Sequence, residues 1–262
     1  MSRAATERQF QSVTEQPGQH ASRLQLEMMA ARYAWARSRS IGKDVLEVAC
    51  GSGTGLAALA AVARTVEASD VDHTNLRAAQ QHYGQHSNIH IQYADALQLP
   101  YPDASFDTVL LFEAIYYLGS AKRFFDEALR VLRPGGRLLV ATVNREWTGF
   151  NASPLSIRYY SASDLEAELR LAGFRTSLQV GFPEQGGLLA TLVRAIRRAA
   201  VALNIVPRTM AGKARLKRIF YGQLEPIPAQ LDLRQFTIAP FESVTTSTDL
   251  TRFRVLYAEA SN

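Results

Sequence analysis

Glu47 and three glycines at positions 51, 53 and 55 stand in DVLEVACGSGTGLAAL, Asp44 to Leu59, with a lone Cys50 just before the first glycine. An apolar run broken by a glycine cluster is how a buried strand enters a tight turn. Glycine, lacking a Cβ, takes dihedrals that other residues resist and lets a ligand approach the backbone closely. Two phosphate-binding readings fail on spacing. A phosphate loop needs GxxxxGK followed by Ser or Thr, and no lysine follows these glycines; a dinucleotide loop needs GxGxxG, and Leu56 stands three residues after Gly53.

The pattern on either side of this loop specifies the strands and helices that hold it. An irregular start leads to a helix from about Ser22 to Arg39, with Leu24, Met28, Ala31 and Trp35 at helical spacing. DVLEVA is a buried strand and LAALAAVA a small-residue helix; TVEASDVD is a second strand ending in acids, and TNLRAAQQHYG a second helix with Gly84 as its C-cap. IHIQYAD, FDTVLLFEA and GRLLVATV read as strands three to five, with the helix SAKRFFDEALRVL ended by RPGG before the last of them. SASDLEAELRLAGF is a helix opened by Ser161 and Asp164 in capping-box spacing and closed at Gly173, then TSLQVGF and RFRVLYAEA supply strands six and seven. Such alternation predicts an α/β fold: a Rossmann-like, mostly parallel seven-stranded sheet, its last strand antiparallel, with helices on both faces. The expected divisions are a lid helix region over 1–40, a core over 41–183, a helical insertion over 184–250 and a final strand over 251–262.

The loop resembles the first motif of class I S-adenosylmethionine-dependent methyltransferases, an acid followed by G-x-G-x-G, here Glu47 to Gly55 with Ala49 where that family usually has glycine. Four further elements fall in the family's order: Asp70 after strand two, Asp95-Ala96 after strand three, Phe106-Asp107 opening strand four, and Leu132 to Gly136 before strand five. The resemblance spans about Asp44 to Phe182 and implies S-adenosylmethionine as cofactor, without a metal. By that resemblance Glu47 holds the methionine ammonium, the backbone of Ala49, Cys50, Gly51 and Gly53 lies under the methionyl and ribose part, and Asp70 accepts the ribose hydroxyls. Val71 packs on adenine, Asp95 and Ala96 meet its polar edge, and Phe112 and Glu113 close the pocket. A carboxylate in the loop suits this ligand, which carries an ammonium and no phosphate. Cys50 reads as a small apolar residue in the turn, because direct transfer from a sulfonium needs no protein nucleophile.

Catalytic candidates lie after strands four and five. Glu113, Tyr116 and Tyr117 in EAIYYL could orient an acceptor hydroxyl or take its proton, with aromatic packing as the alternative role for the tyrosines. The long polar loop Asn144 to Ser161 contributes Arg145, Trp147, Asn151, Arg158 and Tyr160 as acceptor-pocket candidates, and Tyr33 does so from the lid helix. The reading is methylation of a small molecule, on oxygen, of a natural product or sugar-containing intermediate.

Composition bounds the partners. The chain of 262 residues is 47% hydrophobic and 20% charged, as an ordinary globular α/β protein is, and its single cysteine forbids an internal disulfide. No apolar stretch at the N-terminus reads as a signal peptide, so a cytoplasmic location is expected. The net charge of +5 is concentrated: no acid lies between Glu184 and Glu225, whereas Arg194, Arg197, Arg198, Arg208, Lys213, Arg215, Lys217 and Arg218 do. That segment is a solvated helix face or a contact for RNA or an anionic membrane; few aromatics are interleaved for base stacking, which disfavours nucleic acid. His20, His73, His82, His86 and His90 make no metal pattern, and a monomer or homodimer is expected. A non-catalytic protein that merely binds the cofactor is a third reading.

Overall fold

A computed structural model describes residues 14–153, 155–184 and 224–262. In chain order the elements are β1 (His20–Ser22), α1 (Arg23–Ser38), β2 (Asp44–Val48), α2 (Leu56–Ala60), β3 (Thr65–Asp70), α3 (His73–Tyr83), β4 (Ile89–Tyr93), β5 (Phe106–Phe112), α4 (Ala121–Val131), β6 (Leu132–Val143), α5 (Ala162–Leu171), β7 (Arg175–Pro183), β8 (Leu224–Pro226), β9 (Glu242–Ser243) and β10 (Phe253–Ser261). The main sheet runs β4-β3-β2-β5-β6-β10-β7-β9. Strands β4 to β6 pair in parallel, and β10 lies antiparallel to both β6 and β7. The seven expected strands and the antiparallel last one are present; the two-residue β9 adds an eighth at the edge.

Both faces of this sheet are covered, which is why its central strands are apolar without alternation. On one face α1, α2 and α3 bury Met29, Leu56, Leu59 and Tyr83 against Leu110, Leu139 and Tyr257. On the other, α4 and α5 bury Phe124, Phe125, Leu165 and Leu169 against Val109, Leu111 and Val140. Capping boxes start two of the helices, Ser22 with Gln25 on α1 and Ser161 with Asp164 on α5.

Local differences from the sequence pattern have physical causes. Helix α2 stops at Ala60, short of the alanine run, because Asn88 Nδ2 donates to the Ala60 carbonyl and the Gly42 amide to the Val62 carbonyl, capturing groups that a longer helix would use. The RPGG segment belongs to β6, whose pairing with β5 shifts between Phe106 and Thr108, so the extra residues are absorbed as a bulge. Gly84 ends α3 in a right-handed conformation, φ −61°, whereas Gly173 follows α5 at φ +99°. Residues 185–223 of the helical insertion expected over 184–250, and with them its cations from Arg194 to Arg218, lie outside the described residues. Beyond residue 223 the chain returns as β8, which pairs antiparallel with β1.

Candidate active site

Strand order reverses between β2 and β5, and ligands of open α/β sheets bind at that crevice beyond the carboxyl ends of the strands. The two residues that leave these strands are both left-handed without being glycine, Ala49 at φ +56° and Glu113 at φ +50°. Such backbone is uncommon outside glycine and clusters where function constrains the chain. Two loop glycines are also packing devices. A Cβ on Gly53, at φ +78°, would lie 2.9 Å from Leu56 and 3.1 Å from Ala79, and one on Gly55 would lie 2.0 Å from the Tyr33 ring.

Asp70 fixes this loop from the end of β3. Its Oδ2 accepts from the Gly51 amide at 2.9 Å and its Oδ1 from the Asp72 amide at 2.8 Å. Burial pushes its carboxyl above the ordinary range while those two amides pull it back. The Asn75 side chain is a third donor to this carboxyl, and of the roughly four lone-pair sites of a carboxylate one remains for a ribose hydroxyl. Cys50 beside it is buried, its thiol pushed up by burial and then by the charges of Asp70 and Glu47, so a thiolate is disfavoured.

A cluster of ionisable side chains fills the base of the crevice. Glu47 is 2% exposed; its Oε1 accepts from the Tyr33 hydroxyl at 2.6 Å, and its Oε2 has no hydrogen-bond partner. Burial pushes its carboxyl up to about 7 against the Tyr33 bond and the Arg32 charge. A buried carboxylate oxygen left unpaired is costly, and a cation would relieve it. That is the chemistry of an amino-acid ammonium. Glu113 is also pushed to about 7 by burial, with Arg32 opposing; its amide donates to the Ala141 carbonyl at 2.8 Å and its Oε2 accepts from the Tyr116 hydroxyl at 3.1 Å. Phe112 closes the cluster edge-on against Tyr33, ring centroids 5.5 Å apart.

Two members of this cluster, Arg32 and Glu15, carry no signal in the sequence pattern. Arg32 is 8% exposed, pairs with Glu15, and has an Nε without an acceptor. Its charge is reinforced by Glu15, Tyr33 and Glu113 against the cost of burial. Glu15 belongs to a segment laid across the glycine loop: its carbonyl accepts from Ser52 Oγ at 2.9 Å, while Gln16 and Thr14 bond to Asn75.

The remaining candidates divide. Val71 is half-buried at the start of the α3 turn and Ala96 is buried, while Asp95 is exposed, its Oδ1 accepting from the Leu97 amide at 2.9 Å. Tyr116 stacks on Tyr159 at 4.6 Å and meets Tyr117 at 4.5 Å; Tyr117 bonds Ser153, and the Ile157 amide reaches the Tyr116 carbonyl at 2.7 Å. The 144–160 loop is thereby folded over the turn that carries Glu113. Within that loop Arg145 pairs with Asp164 and Arg158 with Glu168, while the Arg158 guanidinium covers the buried Tyr160 ring and Arg254 covers Trp147. The structure thus brings Tyr33, Glu47, Glu113 and Tyr116 together with Tyr117 adjacent. Arg145, Trp147 and Arg158 engage α5 and the approach to β10, and Asn151 is exposed. Among the described residues no group of three or more His, Cys, Asp or Glu is placed to hold a metal ion.

Comparison with known proteins agrees with this geometry. Residues 46–140 match a family model described as a methyltransferase domain. A probable S-adenosylmethionine-dependent methyltransferase of Mycolicibacterium smegmatis is 36% identical over 154 residues, 57% of this chain and 59% of the relative. The O-methyltransferase cnsE of Penicillium expansum is 32% identical over 146 residues, 51% of this chain and 52% of its own. The chain therefore spans little more than half the length of these relatives. The YcgJ protein of Bacillus subtilis shares the fold with a TM-score of 0.56 at 16% identity, over 88% of this chain and 97% of that one. Motif order, sequence match and topology converge on residues 46–140, which are similar to a methyltransferase domain set in a fold shared with solved methyltransferase structures.

Proposed function

We propose that the protein methylates a hydroxyl of a small-molecule acceptor, with S-adenosylmethionine as donor. The observation that carries this reading is the pair of buried carboxyls at the ends of adjacent strands. Glu47 has an oxygen free for a cation, and Glu113 is bonded to Tyr116 beneath the 144–160 loop. S-adenosylmethionine supplies a methyl group on a sulfonium, already activated for displacement. The protein's own residues then have four tasks. Glu47 binds the ammonium, Asp70 the ribose, and the backbone between Ala49 and Gly53 supports the tail. Positioning of this kind contributes on the order of 7 kcal/mol or more. Glu113, directly or through Tyr116, takes the proton of the acceptor hydroxyl, a contribution of about 100-fold or more where a base is used.

Support for oxygen as the acceptor atom comes from the Glu113–Tyr116 pair and from the activity stated for the Penicillium expansum relative. Incubation with S-adenosylmethionine and the small molecules that co-purify with the protein, followed by mass spectrometry, tests it. A product heavier by one methylene and stable to alkali is expected; nucleophilic nitrogen or carbon as the methylated atom would correct the acceptor, and no product across a broad screen despite tight cofactor binding would favour a non-catalytic binder. The cations from Arg194 to Arg218 support a second reading, an anionic partner. A steep loss of affinity for vesicles or RNA with salt would favour it.

A further inference from the structure

We propose that Arg32 holds the carboxylate of the methionine tail, and that Glu15 is the side chain displaced when it does. The inference rests on the reading of this crevice as a site for S-adenosylmethionine. Two buried groups of opposite charge in the crevice have unused hydrogen-bonding capacity: Oε2 of Glu47, an acceptor, and Nε of Arg32, a donor. They are joined through neighbouring residues of α1, because Tyr33, next to Arg32, donates its hydroxyl to the other oxygen of Glu47. An α-amino acid end presents the complementary pair, an ammonium and a carboxylate on one carbon.

The Arg32–Glu15 pair is an incomplete use of the guanidinium. Nε and the neighbouring Nη of an arginine form a fork that matches both oxygens of one carboxylate. Glu15 engages Nη2 alone, leaving the Nε half of that fork empty. Its side chain is 41% exposed against 10% for Arg32, so on release it meets water while Arg32 stays in the crevice. The backbone need not follow, since the Glu15 carbonyl is held by Ser52 and its neighbours Thr14 and Gln16 are held by Asn75.

Electrostatics favour exchange over addition. Glu15, Glu47 and Glu113 already surround the single charge of Arg32, and a fourth carboxylate would be repelled. If Glu15 swings out as the ligand carboxylate enters, Arg32 keeps a counter-charge throughout and the number of anions around it does not rise. Glu15 then acts as a stand-in for the ligand's own carboxylate.

Calorimetry with S-adenosylhomocysteine and the analogue lacking only its carboxylate tests this on the full chain, its Arg32→Gln variant and its Glu15→Gln variant. The wild type is expected to prefer S-adenosylhomocysteine by at least about tenfold, and Arg32→Gln to bind both ligands equally. Glu15→Gln is expected to tighten S-adenosylhomocysteine by about threefold or more, since a competitor is removed, and to leave the analogue unchanged. Equal binding of the two ligands by the wild type, a preference surviving in Arg32→Gln, or weaker binding by Glu15→Gln would each overturn the assignment. Should Arg32→Gln not fold, the wild-type preference and Glu15→Gln decide. Failure of the wild type to bind either nucleoside would remove the cofactor reading itself, a result distinct from equal binding, which removes only the role of Arg32.

Discussion

The Tyr33 hydroxyl donates to Oε1 of Glu47 at 2.6 Å, joining helix α1 to the first core strand at the point where that strand opens into the glycine loop. Removing the hydroxyl in Tyr33→Phe would leave a buried carboxyl with no partner on either oxygen, while the ring keeps its contact with Gly55. A hydrogen bond to a charged group is worth about 1.5–3 kcal/mol, so we expect S-adenosylhomocysteine to bind about tenfold or more weakly with little change in secondary structure. Calorimetry at neutral pH measures it, and unchanged affinity would remove Glu47 from the ammonium site.

Glu47 and Glu113, both pushed to about 7 from 4.5, set a pH dependence. The folded chain holds protons that the unfolded chain has already released, so stability falls as pH rises from about 4.5 to 7 and this contribution is flat above. Asp44, held well below the usual carboxylate range chiefly by Arg64, is ionised in both states across that window and adds no slope. Differential scanning fluorimetry should show a lower Tm at pH 8 than at pH 5.5, and Glu113→Gln should flatten the trend. A ligand ammonium favours ionised Glu47, so the Tm gain from S-adenosylhomocysteine should be larger at pH 8. A gain independent of pH would contradict the placement.

Asp70 holds the loop, since the amides of Gly51 and Asp72 both end on it, and the proposed function also gives it the ribose. We expect Asp70→Ala to weaken S-adenosylhomocysteine binding by at least about tenfold, the loss of charge-assisted bonds to both. Affinity equal to wild type in a titration would remove the ribose assignment.

Gly55 tests the fit of α1 over the loop. Its φ of −98° suits any residue, so Gly55→Ala acts through the 2.0 Å approach to Tyr33 alone. Overpacking costs about 1–3 kcal/mol and each kcal/mol moves Tm by roughly 2–4 °C in a chain of this size. We expect Tm to fall by roughly 3–10 °C and nucleoside affinity to fall with it.

Cys50 should prove dispensable. Its buried thiol, with acids rather than bases around it, is expected to label slowly with a thiol reagent until the protein unfolds. Cys50→Ala should keep ligand affinity within about threefold and most activity; an activity loss beyond about 100-fold would make the thiol a participant.

The sheet and its loop could be read along the chain because their signals are local. Apolar runs, glycines at fixed offsets and acids at strand ends succeed one another within a few residues. Arg32 and Glu15 could not be read this way. Arg32 lies between Ala31 and Trp35 on a helix whose apolar stripe leaves it on the flank, and its partner Glu15 comes from a segment folded across the glycine loop. Arg145, Trp147 and Arg158 show the reverse. Their residue types and their loop suggest ligand contacts, but Asp164 and Glu168 on the helix α5 that follows, and Arg254 on β10, engage them. Residue type alone does not separate a side chain that grips a substrate from one that pins a loop.

The small ribbon of β1 and β8 ties the two ends of the site to each other. Its register continues through the Gly18 amide on the Ile227 carbonyl and the Ile227 amide on the Gln19 carbonyl, and a few residues on the Leu231 amide donates to the Thr54 carbonyl inside the glycine loop. The chain that returns from the basic segment is thus clasped to the glycine loop itself. Thermodynamic linkage would then run both ways: a partner that gripped the returning chain and shifted this loop would change the affinity for whatever the loop holds, and that ligand would change the partner's affinity by the same factor.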